Sequence, residues 1–154
     1  MIDVDHFKSI NDDFGHQVGD EMIVHLANLA RDCKRQCDVL ARIGGEEFAL
    51  LLPETDLSQA QVAAERLRRE VAANSLEVAS RSIPATVSIG VATSLAAMND
   101  ISDLMKAANQ AVYDAKHAGR NRVTVASLAM LRRVSQRSVP TLRSKGRVWG
   151  EQRT

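Results

Sequence analysis

A chain of 154 residues with 45% apolar and 25% charged side chains has the size and make-up of one globular domain, which excludes wholesale disorder. Its five aromatic residues, Phe7, Phe14, Phe48, Tyr113 and Trp149, are too few for the stacking platforms of a single-stranded nucleic-acid surface. The net charge of +1 conceals a division, because residues 1–126 carry 13 Lys and Arg against 18 Asp and Glu while residues 127–154 carry 7 against 1. An acidic body disfavours nonspecific DNA binding, where phosphate neutralisation supplies most of the affinity. No apolar run approaches the length of a bilayer span. Cys33 and Cys37 have no second cysteine pair with which to build a zinc site, so reduced thiols are expected.

Asp3-Val4-Asp5 reads as the end of a short first strand. From Asp20, a plausible N-cap, to Arg35 the residues Met22, Ile23, Leu26, Leu29, Ala30 and Cys33 recur at three and four, the spacing of an amphipathic helix. Asn11-Asp12-Asp13 with Gly15 reads as a turn before it. Asp38 to Pro53 reads as two strands joined at Gly44-Gly45, because the tight turns that match strand twist need positive φ. Ser58-x-x-Gln61 is a capping-box pattern, and Ala60, Ala64, Leu67 and Val71 mark the inner face of a second helix reaching about Asn74. Residues 85–93 alternate like a strand. Ser102 is the expected cap of a third helix, with Leu104, Ala108, Ala111, Val112 and Ala115 inside and Gly119 at its C′ position. Val123 to Ala126 is a short last strand. The order gives a β-α-β-β-α-β core, the ferredoxin-like α+β arrangement of an antiparallel sheet with helices on one face.

The candidate chemistry lies in separated segments. Asp3 and Asp5 project from the end of the first strand, and Glu46 and Glu47 follow the hairpin turn. If that strand lies beside the hairpin the carboxylates converge, and converging carboxylates repel unless a hard cation such as Mg²⁺ or Mn²⁺ neutralises them. Taken singly, each acid reads more readily as a solvated strand end or turn; their convergence is what lifts the metal reading above that. Gly44-Gly45 is explained by a turn alone, although missing side chains also let a nucleotide approach the backbone. Asn11 and Asp20 together offer the donor and acceptors that would read the Watson–Crick edge of guanine. Lys116 and Arg120 bracket a helix end, where the dipole favours cations regardless of function; they could also hold a triphosphate.

The run from Asp3 through Lys8, Asn11 and Gly15 to Asp20, then Arg42-Ile-Gly44-Gly45-Glu46-Glu47-Phe48, then Ala115-Lys116-His-Ala-Gly119-Arg120-Asn121, resembles the GGDEF family of diguanylate cyclases, with Glu in the third position of the signature. Three motifs in the right order cover residues 1 to about 126. The resemblance implies that two GTP molecules, one on each subunit of a homodimer, are condensed to cyclic di-GMP with release of pyrophosphate. It implies Mg²⁺ or Mn²⁺ bound by Asp3, Glu46 and the Val4 carbonyl. Guanine recognition falls to Asn11 and Asp20, room for the nucleotide to Gly44 and Gly45, and phosphate contacts to Lys8, Lys116 and Arg120. Glu47 would assist the attacking 3′-hydroxyl or the metal site. Arg35-Gln-Cys-Asp38 matches the family's R-x-x-D product-inhibition site, which Arg66 would join. A cytoplasmic setting and an upstream sensor domain are implied as well.

Two departures from the family pattern shape further expectations. A helical segment with a D-x-L-T-x-L-x-N-R-R-like motif and an apolar first strand normally come first, whereas only Met1 and Ile2 precede Asp3. The domain, residues 1–126, is therefore expected to be marginally stable, with a gap in its core and Asp3 poorly anchored. Residues 127–154 form a basic tail expected to be disordered. The competing readings are a receptor that binds cyclic di-GMP through Arg35, Asp38 and Arg66 without catalysis, and an inert fragment.

Overall fold

Residues 1–94 and 100–127 are described by the computed structural model. In chain order the elements are β1 (Ile2–Val4), α1 (Phe7–Phe14), α2 (His16–Cys33), β2 (Val39–Gly44), β3 (Glu47–Leu51), α3 (Leu57–Ala73), β4 (Leu76–Val78), β5 (Arg81–Ile83), β6 (Val87–Val91), α4 (Ile101–His117) and β7 (Val123–Val125). Five strands form one sheet in the order β2-β3-β1-β6-β7, and β4 pairs with β5 in a separate hairpin. All neighbours in the large sheet run antiparallel except β6 and β7. This is the mixed α/β, palm-like architecture expected, with the short β1 at its centre.

Alternation decides which side of the sheet each residue serves. Ile2, Val4, Phe48, Ile89 and Val91 point to one side, where they share a core with Met22, Ile23 and Leu26 of α2 and Leu67 and Val71 of α3. Asp3, Ser88 and Gly90 point to the other side. There α4 approaches so closely that a Cβ on Gly90 would stand 2.1 Å from the Ala108 carbonyl oxygen. The inner face of α4 is correspondingly small: Ala107, Ala108, Ala111, Val112 and Ala115 are its buried apolar residues. Helices therefore cover both faces, not one as expected, because β6 is apolar on one side and glycine and serine on the other. Between β3 and β6, beyond Met1, lies a cavity of about 380 Å³ lined in part by Leu50, Leu52, Leu67, Val91 and Leu104.

Several local expectations shift. Asn11 to Gly15 is not a turn, since α1 runs to Phe14 with Gly15 (φ +87°) breaking the chain before α2. Asp20 lies in the second turn of α2 and caps nothing. The hairpin turn is Gly45-Glu46, with Gly44 paired to Glu47. The capping box is formed by Asp56 and Gln59, two residues before the expected pair, and α4 is capped by Asp100, whose side chain accepts from the Ser102 and Asp103 amides. The β4–β5 hairpin turns through Ala79 and Ser80 at φ +45° and +67°. The basic tail, apart from Ser127, lies outside the described residues.

Gly90→Ala should lower unfolding free energy by about 1–3 kcal/mol, the usual penalty of overpacking, measured by urea denaturation. An unchanged midpoint would mean that α4 stands further from the sheet.

Candidate active site

β1 lies between β3 and β6, with Asp3 opposite both Glu47 and Ser88. Pairing with β3 brings the carboxylates of two distant segments together, as the topology requires. Asp3 is 4% exposed, Glu46 is half-buried in the turn, and Glu47 is exposed. The Val4 side chain enters the core while its amide donates to the Glu46 carbonyl at 3.4 Å, stitching the strand end to the turn. From α4, the Lys116 ammonium reaches the Asp3 Oδ2 at 2.7 Å. The expectation of a poorly anchored Asp3 thus meets a side chain bound to α4, on a strand whose preceding residues also pair: Ile2 lies between Phe48 and Ile89, and Met1 exchanges two hydrogen bonds with Gly90.

Asp3 also tests whether the donor set fits a divalent cation. Its Oδ1 is buried without a hydrogen-bond partner, a state that native structures seldom leave unexplained. Burial pushes the Asp3 carboxyl above the usual carboxylate range, Lys116 draws it back, and Glu46 and Glu47 push it up again. Among the described residues no three His, Cys, Asp or Glu side chains are grouped to hold a metal ion. Two carboxylates and a backbone carbonyl, completed by substrate phosphates, are nevertheless the kind of set that Mg²⁺ uses. The residues present fit such an ion.

Asn11 is half-buried on α1 and packs where a Cβ on Gly19 would stand 1.9 Å from its Oδ1. Gly19 therefore leaves the room Asn11 occupies, a close approach that the sequence does not announce, although the i, i+3, i+4, i+7 run of Phe7, Ile10, Asn11 and Phe14 marks α1 as the helix it meets. Asp20 follows Gly19 and is exposed, as is Lys8 on α1. Gly45 adopts φ +35°, which a tight turn explains, whereas Gly44 has no positive φ. A Cβ on either would meet nothing within 4 Å. Among the described residues, no contact requires glycine at position 44.

Asp5 does not join Asp3. Its carboxylate turns to Thr86 Oγ1 and Ser88 Oγ, each at 2.7 Å, and to the Asn121 amide at 3.0 Å. Arg120 sits in that same turn after α4, exposed, with φ +60°.

At the far end of α2, the Asp38 carboxylate accepts from the Arg35 amide at 2.7 Å, and the Arg66 guanidinium donates to the Cys33 carbonyl. Arg35 and Arg66 are exposed and Asp38 is buried. The motif thus closes the turn from α2 into β2 and gathers Arg66 to it.

Because Asp3 holds its proton more tightly folded than unfolded, its stabilising contribution is full below its ordinary value near 3.8 and is lost as pH rises through the higher folded value. Asp3→Asn should therefore raise the Tm of metal-free protein at neutral pH, with the gain vanishing in acid. It should also remove the Tm rise that Mg²⁺ gives the wild type. Calorimetry with and without Mg²⁺ at neutral and acidic pH checks both.

Residues 1–122 match the family model described as "Diguanylate cyclase, GGDEF domain". The chain is 40% identical over 125 residues to Diguanylate cyclase A of Treponema denticola, an alignment covering 81% of this chain and 34% of that protein. It thus spans about a third of that relative's length. Among solved structures it is similar to the GGDEF domain of DgcB from Caulobacter crescentus in complex with c-di-GMP (37% identity, TM-score 0.76, 81% of this chain and 74% of that one). It is similar too to the active GGEEF domain of a diguanylate cyclase from Vibrio cholerae (35% identity, TM-score 0.76, 82% and 80%). With three motifs, the sheet order and these likenesses in agreement, the chain belongs to the GGDEF domain family.

Proposed function

We propose that this domain condenses two GTP molecules into cyclic di-GMP and pyrophosphate, each protomer of a homodimer binding one nucleotide. The observation that carries the reading is the buried, unpartnered Oδ1 of Asp3, a carboxylate that also feels the charges of Glu46 and Glu47, beside a glycine turn open on its outer side. Its relatives are named as diguanylate cyclases, which supports it further.

In this reading Asn11 and Asp20 hold the guanine edge, and Gly44 and Gly45 let the nucleotide lie against the backbone. Asp3, Glu46 and the Val4 carbonyl would hold Mg²⁺ or Mn²⁺. Such an ion supplies charge neutralisation to the triphosphate and makes a coordinated hydroxyl more acidic. Lys8, Lys116 and Arg120 neutralise the remaining phosphate charge. Glu47, at the mouth of the site, takes the proton from the attacking 3′-hydroxyl. That oxygen bonds to the α-phosphorus of the other GTP as the bond to the β-phosphate oxygen breaks, and a second such step closes the ring. As in other phosphoryl transfers, positioning and electrostatics carry the catalysis. Because one site holds one nucleotide, the two sites must face each other. The supply of GTP places the reaction in the cytoplasm, and an upstream sensor domain would regulate the pairing.

Arg35, Asp38 and Arg66 form the proposed product site. Arginine suits phosphate and the Hoogsteen edge of guanine, and the exposure of both arginines at one end of α2 favours it. Here the Asp38 carboxylate would act on guanine only by sharing its bond to the Arg35 amide.

Purified protein incubated with GTP and Mg²⁺, with and without a fused dimerising helix, should yield cyclic di-GMP by chromatography, more with the fusion. Glu46→Gln should abolish synthesis and spare product binding, and Glu47→Gln should slow turnover by ~10²–10⁴-fold, the usual range for a general base. Arg35→Ala should keep synthesis and lose product binding by calorimetry. A chain that binds cyclic di-GMP yet forms none even when dimerised is a receptor, and the catalytic reading then fails.

A further inference from the structure

The second acid of the Asp3-Val4-Asp5 run is spent on neither metal nor solvent. Asp5 is 3% exposed. Its Oδ1 accepts from Ser88 Oγ, and its Oδ2 from Thr86 Oγ1 and the Asn121 amide. Two of these donors belong to the segment that leads into and along β6, and the third to the turn that follows α4. A buried carboxylate persists where charge-assisted hydrogen bonds satisfy its oxygens.

The Asn121 bond matters most because of the backbone it holds. Gly119, Arg120 and Asn121 have φ of +112°, +60° and +44° in succession. Only the first is a glycine; asparagine tolerates the left-handed region better than most residues, whereas at Arg120 it is strained and the surroundings must enforce it. Several bonds do so: the Gly119 amide donates to the Lys116 carbonyl at 3.4 Å and the Arg120 amide to the Ala115 carbonyl at 3.0 Å, Arg122 Nε donates to the Arg120 carbonyl at 3.1 Å, Arg68 donates to Asn121 Oδ1 at 2.7 Å, and Asp5 takes the Asn121 amide. Of these, the Asp5 bond alone starts from the segment that also carries Asp3. It therefore fixes the turn bearing Arg120 relative to the carboxylate cluster.

We propose that Asp5 is a positioning residue, holding the Gly119–Asn121 turn so that Arg120 is presented to the nucleotide phosphates at a set distance from Asp3. This inference rests on the nucleotide-binding reading above and adds to it how the phosphate clamp is aligned. Asp5 touches neither substrate nor metal; it acts through the backbone of residues 120 and 121.

The test measures calorimetric affinity of the whole chain for a non-hydrolysable GTP analogue with Mg²⁺. Asp5→Asn places an NH₂ group where one acceptor stood, and should weaken binding about tenfold, close to the loss from Arg120→Ala. In an Arg120→Ala background the same change should add less than twofold, a non-additivity expected of residues acting as a unit. Ser88→Ala is the structural control, because it removes a donor to Asp5 Oδ1 and leaves the Asn121 bond intact. It should lower Tm yet change affinity less than twofold. An additive double variant, an unaffected Asp5→Asn, or a Ser88→Ala that weakens binding as much as Asp5→Asn overturns the inference. If Asp5→Asn does not fold, Asp5→Glu replaces it under the same criteria. A wild-type chain that fails to bind the analogue overturns the nucleotide reading and this inference together, whereas wild-type binding with Asp5→Asn unchanged overturns this inference alone.

Discussion

A carboxylate buried on the central strand of a sheet needs positive charge close by, and the site is organised around that requirement. Asp3 is placed by β1, which pairs on both edges, and the nearest cation is Lys116, 113 residues away in the chain. The ion pair draws the end of α4 onto the sheet and leaves one carboxylate oxygen without a partner. Replacing a buried charge pair with apolar groups is often harmless to stability, so the pair is weak evidence for a device that holds the fold. Lys116 answers one oxygen of Asp3 and leaves the other without a partner.

The two acids of the first motif show how adjacent letters can acquire different physics. Asp3 and Asp5 share one side of the strand, and both are buried. Asp3 meets an ammonium group at one oxygen and feels two further acids, which leaves its other oxygen without a partner. Asp5 meets two hydroxyls and an amide, which engage both oxygens. No feature of the tripeptide itself separates them. The distinction lies in Thr86, Ser88 and Asn121, and polar residues inside the otherwise apolar run of β6 were the one hint available in the sequence.

Much of the fold was legible because it is written in local periodicity. The hairpin, α2, α3, α4 and β6 all follow from apolar spacing and turn residues, and the convergence of Asp3 with Glu46 and Glu47 followed from topology. What escaped depended on tertiary contact or on unusual backbone. α1 was hidden because Asn11-Asp12-Asp13 has turn composition, and its apolar face becomes decisive only against α2. The β4–β5 hairpin carries Ala79 and Ser80 at positive φ, with no glycine or asparagine in the turn to announce it. The Asp56 cap was overlooked in favour of Ser58, which has the same pattern two residues later. The contact of Asp3 with Lys116 escaped because strand length was weighed and the reach of α4 was not.

The alanine-lined face of α4 has a dynamic consequence. Small side chains let the helix lie close above Gly90, but each removes less apolar surface from water than a leucine would. Such a helix is well located yet lightly held, the profile of a unit that opens below the free energy of global unfolding. In amide exchange, α4 would then exchange ahead of α2 and α3, and each opening would release Lys116 from Asp3. The same thin seam that brings the ammonium to the carboxylate also sets how often the pair comes apart.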